Sequence, residues 1–206
     1  RSMQKSGLIY YNENQYDKAI AVLKQVVEKY PGTPESREAL NSIRNIYIDQ
    51  NRVDEYYAYA ETLPFAEVSV SEQDSITYIA AENLYMESKC QEAISAFAAY
   101  LKRFPYGTFA TNASYYKADC ELRAGLKEEA LASFDFVIRQ PASGFTGKSL
   151  QQAARLGMEL EKWESALEYY GMLAEHAGSG EEKLEAVEGM TDCNFTLGHW
   201  ADAITT

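Results

Sequence analysis

The sequence predicts an all-α solenoid of about six stacked antiparallel helix pairs, and three observations carry that prediction. A marker position inside a helical apolar stripe recurs at Ala19, Tyr56, Ala93, Ala130, Ala166 and Ala203, at intervals of 37, 37, 37, 36 and 37 residues. Periods of this length belong to repeat architectures, in which no unit can bury its apolar face alone and each leans on its neighbours. The stripe itself has the period of a helix, since Ala93, Phe97 and Tyr100 share one face of the stretch 90–105. Prolines close the marked helices at Pro31, Pro105 and Pro141.

The units read in order as roughly 1–31, 34–63, 74–105, 109–140, 147–177 and 181–206, together forming one solenoid, a fragment of a longer protein. In the first, a helix to about Tyr11 turns at residues 12–14 and returns as a helix over about 16–29. Thr33 followed by Pro34 reads as an N-cap with proline in the first helical turn, where the missing N–H costs nothing. The second unit departs most from the pattern. Bulky Tyr56 occupies the marker position, so its two helices are expected further apart or at a different crossing angle.

The third unit opens with a capping box read at residues 71–74 and continues through Ile76, Ile79 and Leu84 into the marked helix. The fourth places Ala110, Ala113, Ala118 and Leu122 on successive turns. The fifth holds Ala153, Ala154, Gly157, Trp163 and Tyr169, and Ser179 with Glu182 forms the capping box that starts the sixth.

Composition narrows the function. The chain of 206 residues is 46% hydrophobic, with only 5 Pro but 16 Tyr. Its formal charge is −12, from 19 Lys and Arg against 31 Asp and Glu, and no basic cluster reverses this locally. Such a surface repels phosphate backbones and argues against nucleic acid as a partner. No apolar run is long enough for a bilayer, so no direct membrane insertion is expected. Cys90, Cys120 and Cys193 have no metal spacing and are odd in number, which indicates no disulfide framework. Cys120 and Cys193 hold equivalent places two units apart, pointing to packing roles.

Gly7, Ala81, Ala118 and Ala154 lie twelve residues before Ala19, Ala93, Ala130 and Ala166. A large residue follows four positions after the marker, as Leu23, Phe97 and Phe134. With the closing prolines, this pattern resembles the tetratricopeptide repeat (TPR) family over the whole chain, well in units one, three and four and poorly in unit two. The segments 28–33 and 102–108, each with an aromatic–proline step before Gly-Thr or Tyr-Gly-Thr, are similar to repeats of bacterial envelope proteins. These include lipoprotein partners of outer-membrane assembly machines and coordinators of envelope constriction. The resemblance implies a right-handed superhelix, a non-enzymatic interaction scaffold, and a periplasmic or outer-membrane location, with cytoplasm as the alternative.

In that arrangement the first helices line a concave side. One apolar series across units is Tyr11, Ile48, Tyr85, Leu122, Met158 and Phe195. Tyr78 and Tyr115 lie two turns earlier on their helices, and Glu82 and Asp119 stand between them. These residues suggest an aromatic floor with an acidic middle, suited to a basic or neutral peptide or protein segment. Packing of the same aromatics within the array, or self-association as an architectural module, are the alternatives, as is a non-catalytic regulatory region of an enzyme. No catalytic residue, cofactor or metal is expected: there is no glycine-rich phosphate loop, nucleophile elbow or EF-hand spacing. Glu82 and Asp119 are the one carboxylate pair that adjacent units could bring together.

Overall fold

The computed structural model describes residues 2–205. Among the described residues it contains twelve helices and no strand. The chain divides into two compact units, residues 1–87 and 88–206. The first holds α1 (Ser2–Asn12), α2 (Tyr16–Lys29), α3 (Pro34–Asp49), α4 (Val53–Glu61) and α5 (Val70–Met86). The second holds α6 (Cys90–Arg103), α7 (Ala110–Arg123), α8 (Lys127–Ile138), α9 (Thr146–Glu159), α10 (Trp163–His176), α11 (Gly180–Leu197) and α12 (Trp200–Thr205). Within each unit, sequence neighbours pack on one another and short turns make them antiparallel.

The same turn joins the two helices of every pair, although the sequence disguises it. Asn14, Asn51, Ser88, Gly125, Glu161 and Gly198 all have left-handed backbone, with φ between 51° and 78°, at intervals of 37, 37, 37, 36 and 37 residues. At five of these turns the residue after the left-handed one donates its N–H back to the helix just ended. These bonds are Gln15 to Tyr10, Arg52 to Tyr47, Leu126 to Glu121, Lys162 to Gly157 and His199 to Asn194, each 2.8–2.9 Å. This is the Schellman closure, which satisfies carbonyls otherwise orphaned at a helix end. The strict period of the repeat is therefore set by the backbone at the turn as much as by the apolar stripe.

Helix starts follow local chemistry. Thr33 accepts a hydrogen bond from the Ser36 N–H, with Pro34 at the first helical position, as expected. Ser179 accepts from the Glu182 N–H at 3.2 Å, and the Glu182 carboxylate accepts from the Gly178 N–H. The start of α5 corrects the sequence reading. Its cap is Ser69, accepting from the Glu72 N–H at 3.1 Å, so the helix begins before the box read at residues 71–74. The Ser69 hydroxyl takes the N-cap bond from the backbone three residues on, while the Glu72 carboxylate turns away to Arg44.

Small residues set the close approaches. Ala81, Ala118 and Ala154 are fully buried, as are Ala19, Ala93, Ala130 and Ala166. A Cβ on Gly157 would lie 2.9 Å from the Ala166 Cβ, so α9 and α10 touch there almost backbone to backbone. In the second pair, Arg44 stands where the others have Gly7, Ala81, Ala118 or Ala154, opposite buried Tyr56. Accordingly α3 and α4 pack less extensively than α1 and α2. In the first unit Leu23 and Val27 meet Ile43, Ile46 and Tyr47. In the second, Phe134, Leu150, Leu156, Leu173 and Cys193 form one cluster.

One expectation about the cysteines is overturned. Cys90 and Cys120 form a disulfide, with their Cα atoms 5.0 Å apart. Cys90 opens α6 and Cys120 lies near the end of α7, and because those helices run antiparallel both fall at one end of the pair. The bridge closes a loop with a sequence separation of 30, which in the chain-entropy account stabilises by roughly 3–4 kcal/mol. Cys193 is a buried free thiol, the packing role read for it. Burial pushes its thiol up to about 11.

A candidate peptide groove in the first unit

The first helices of unit 1 were expected to offer aromatic side chains to a partner, but the geometry selects a different set. Tyr78 is 3% exposed and its hydroxyl donates to the Glu82 carboxylate at 2.6 Å. Its ring is therefore buried rather than offered to a partner, and Glu82 is engaged in satisfying its hydroxyl. Ile48 is buried too. Tyr11 is half-buried, its hydroxyl donating to the Asp49 carboxylate at 2.5 Å, and this bond holds the phenol up at about 12. Tyr85 is partly buried near the end of α5.

Between α3 and α5 lies a groove of about 430 Å³. Ile48, Ile76 and Ile79 make its apolar floor, and Ile79 is 40% exposed. Asn45 on α3 and Asn83 on α5 flank that floor, and among the described residues neither side-chain amide has a hydrogen-bond partner. Arg44 and Glu72 close one wall through an ion pair of 3.1 Å. An unpaired carboxamide offers two donors and an acceptor, the set that a peptide group complements. Asn45 holds the repeat position of Glu82 and Asp119, which the sequence singles out. Asn83 and Ile79 carry no such signal, because in sequence they read only as ordinary members of the helix.

In unit 2 the expected floor is used mostly for packing. Tyr115 stacks on Phe145 with ring centroids 4.4 Å apart and packs edge-on against Phe134. Burial, then the Asp119 charge, raises its phenol above the usual range. Leu122 and Met158 pack against the second unit's core, and the Met158 Sδ lies 3.2 Å from the Cys193 Sγ. Asp119 pairs with Arg123 at 2.5 Å, and Arg155 with Glu185 at 2.6 Å. Phe195 alone of this series is largely open, 62% exposed and edge-on to Trp200. Among the described residues no group of His, Cys, Asp and Glu could hold a metal ion, and no helix is long and apolar enough to cross a membrane.

Comparison with known proteins places this architecture. Residues 1–33 match one tetratricopeptide repeat family model and residues 80–144 match a second. The matched stretches are tetratricopeptide repeats, and the helix pairs along the described residues follow the same pattern. None of the curated proteins matches it.

Among solved structures it is similar to PilF of Pseudomonas aeruginosa, at 15% identity and a TM-score of 0.47, over 99% of this chain and 86% of that one. It is also similar to YrrB, described as a TPR protein with an unusual peptide-binding site, at 17% identity and 0.46, over 90% of each chain. A third is PilW, described as a widely conserved type IV pilus biogenesis factor, at 15% and 0.45, over 98% of this chain and 88% of that one.

Proposed function

We propose that the chain is a non-catalytic scaffold that binds an extended segment of a partner protein along the α3–α5 groove of its first unit. The observation that carries this reading is the pair of unpartnered amides, Asn45 and Asn83, flanking an apolar floor that leaves Ile79 open. Carboxamides grip a peptide backbone whatever its sequence, while the isoleucine floor selects an apolar side chain. Asp49 and Glu72 on the walls, with the overall charge of −12, favour a basic or neutral segment.

Peptides selected from a random display library against the intact chain provide the test. Replacing Asn45 and Asn83 together by Ala removes hydrogen bonds worth about 0.5–1.5 kcal/mol each, so binding should weaken roughly tenfold or more at unchanged Tm. Unchanged affinity would eliminate this groove.

The disulfide supports a compartment as well as a fold. Bonds of this kind persist in oxidising surroundings and are rare in a reducing cytosol, which favours the envelope reading over the cytoplasmic one. Under denaturing, non-reducing conditions the native protein should alkylate at Cys193 only, and at all three cysteines after reduction. Three reactive thiols in protein isolated from its natural source would contradict it.

A further inference from the structure

The repeat itself exposes an anomaly in unit 2. At three positions on the first helices, the second unit of the repeat has Leu40, Ile43 and Tyr47, the third Thr77, Ala80 and Leu84, and the fifth Leu150, Ala153 and Gly157. The fourth has Ser114, Lys117 and Glu121. Opposite them on α8 is Ser133, where the other units carry Val22, Tyr59, Ala96 and Tyr169.

These polar groups form a closed network. The Lys117 ammonium donates to Glu121 Oε1 at 2.5 Å and to Ser133 Oγ at 3.0 Å, and the Ser133 hydroxyl donates to Glu121 Oε2 at 2.7 Å. Glu121 is only 2% exposed. A buried ion pair is commonly no more stabilising than the apolar residues that could replace it, and here the neighbouring repeats show such replacements at the same sites. Packing alone does not account for the network. Local exceptions of this kind concentrate where a protein recognises something.

The network opens onto a pocket of about 350 Å³. Leu101 and Pro105 from the end of α6 and its turn, with Ala132 and Phe136 from α8, make its apolar walls. Lys117 has a third N–H beyond its two bonds, and the hydroxyl of buried Ser114, one turn before it, has no partner among the described residues. Glu121 already balances the Lys117 charge, so these donors suit a neutral acceptor such as a peptide carbonyl rather than an anion. Glu129 contributes an exposed carboxylate to the lining.

We propose that this pocket is a second docking site, separate from the α3–α5 groove, for a polypeptide segment that inserts one large apolar side chain next to a Lys or Arg. The apolar walls take the side chain, Lys117 and Ser114 donate to the backbone carbonyl beside it, and Glu129 meets the basic residue.

The test is NMR titration of the isotope-labelled full chain with Ac-Gly-Phe-Lys-Gly-NH2, compared with the same peptide carrying Glu for Lys or Ala for Phe. Shifts should centre on Ser114, Lys117, Ala132 and Phe136, and both altered peptides should bind at least about tenfold more weakly. Replacing Lys117→Met, Glu121→Leu and Ser133→Ala together should leave Tm equal or higher while weakening the Phe-Lys peptide by about tenfold. Glu129→Lys, an exposed change that leaves the fold intact, should reverse the preference between the Lys and Glu peptides. No shifts at these residues, shifts centred on α3 and α5 instead, undiminished binding by the triple variant, or an unreversed preference in Glu129→Lys would each overturn the proposal.

Discussion

Glu161 holds a φ of 56°, a conformation that costs an ordinary L-residue about 1 kcal/mol and costs glycine little. Gly125 and Gly198 fill the equivalent turns with the residue the backbone asks for, so the repeat contains its own control. Glu161→Gly should therefore stabilise the second unit by about 0.5–1 kcal/mol, the strain relieved being partly offset by the greater freedom of glycine in the unfolded chain. A rise in the denaturant midpoint at constant slope would show it. A fall would mean that the Glu161 side chain contributes something the turn geometry does not reveal.

Tyrosines make a second prediction at this scale. Tyr11 is pushed up to about 12 by its bond to Asp49, and Tyr59 and Tyr169 to about 12 chiefly by burial. A phenol whose folded pKa lies above its unfolded value near 10 favours the folded state while it is protonated. That contribution is complete below pH 10 and disappears as pH climbs from about 10 towards 12. Unfolding midpoints should decline over that window, and tyrosinate absorbance should show a class of tyrosines ionising late. Ionisation of every tyrosine near pH 10 in the folded protein would refute the hydrogen bond and burial assigned to these three.

At the scale of the helix pair, closeness is the controlling variable. Gly157→Ala would place a methyl 2.9 Å from Ala166 Cβ and 3.1 Å from its Cα, where backbone cannot yield as a flexible side chain can. The pair α9–α10 must separate, at a cost of about 1–3 kcal/mol. Thermal unfolding of the variant measures this, and an unchanged Tm would mean that the pair is looser than described.

Helix pairs were also what the sequence described best, because a small residue facing a small residue at a fixed offset leaves a direct trace. The start of α5 and the disulfide left weaker ones. Ser69 and Ser71 are both capping residues by type, and only the backbone conformation at Ser69 decides which of them accepts the N-cap bond. Cys90 and Cys120 gave no pairing signal in the sequence because three cysteines are an odd number and these two have no motif spacing. Placing one at the start of α6 and the other near the end of the antiparallel α7 would have brought them together.

At the scale of the whole molecule, the repeat length and the tetratricopeptide pattern identified the family, and the binding surface was harder to read. Series at one repeat position assume that every unit points the same residue outward. Ile48 turns inward while Phe195, at the same repeat position, stays open, so the series mixes core with surface. What distinguishes a surface from a core position here is which side chains are left without a partner, and sequence periodicity does not encode that. That Asn45, Ile79 and Asn83 meet in one groove is a fact of the folded structure alone.

The central claim is that partner recognition in the first unit runs through that groove. NMR of the intact chain, with a peptide from the display selection, tests it by following the side-chain amides of Asn45 and Asn83 and the methyls of Ile79. These signals should move together at the binding affinity, and the Asn45→Ala, Asn83→Ala variant should lose the response of Ile79. Saturating peptide that leaves all three residues unmoved would contradict it.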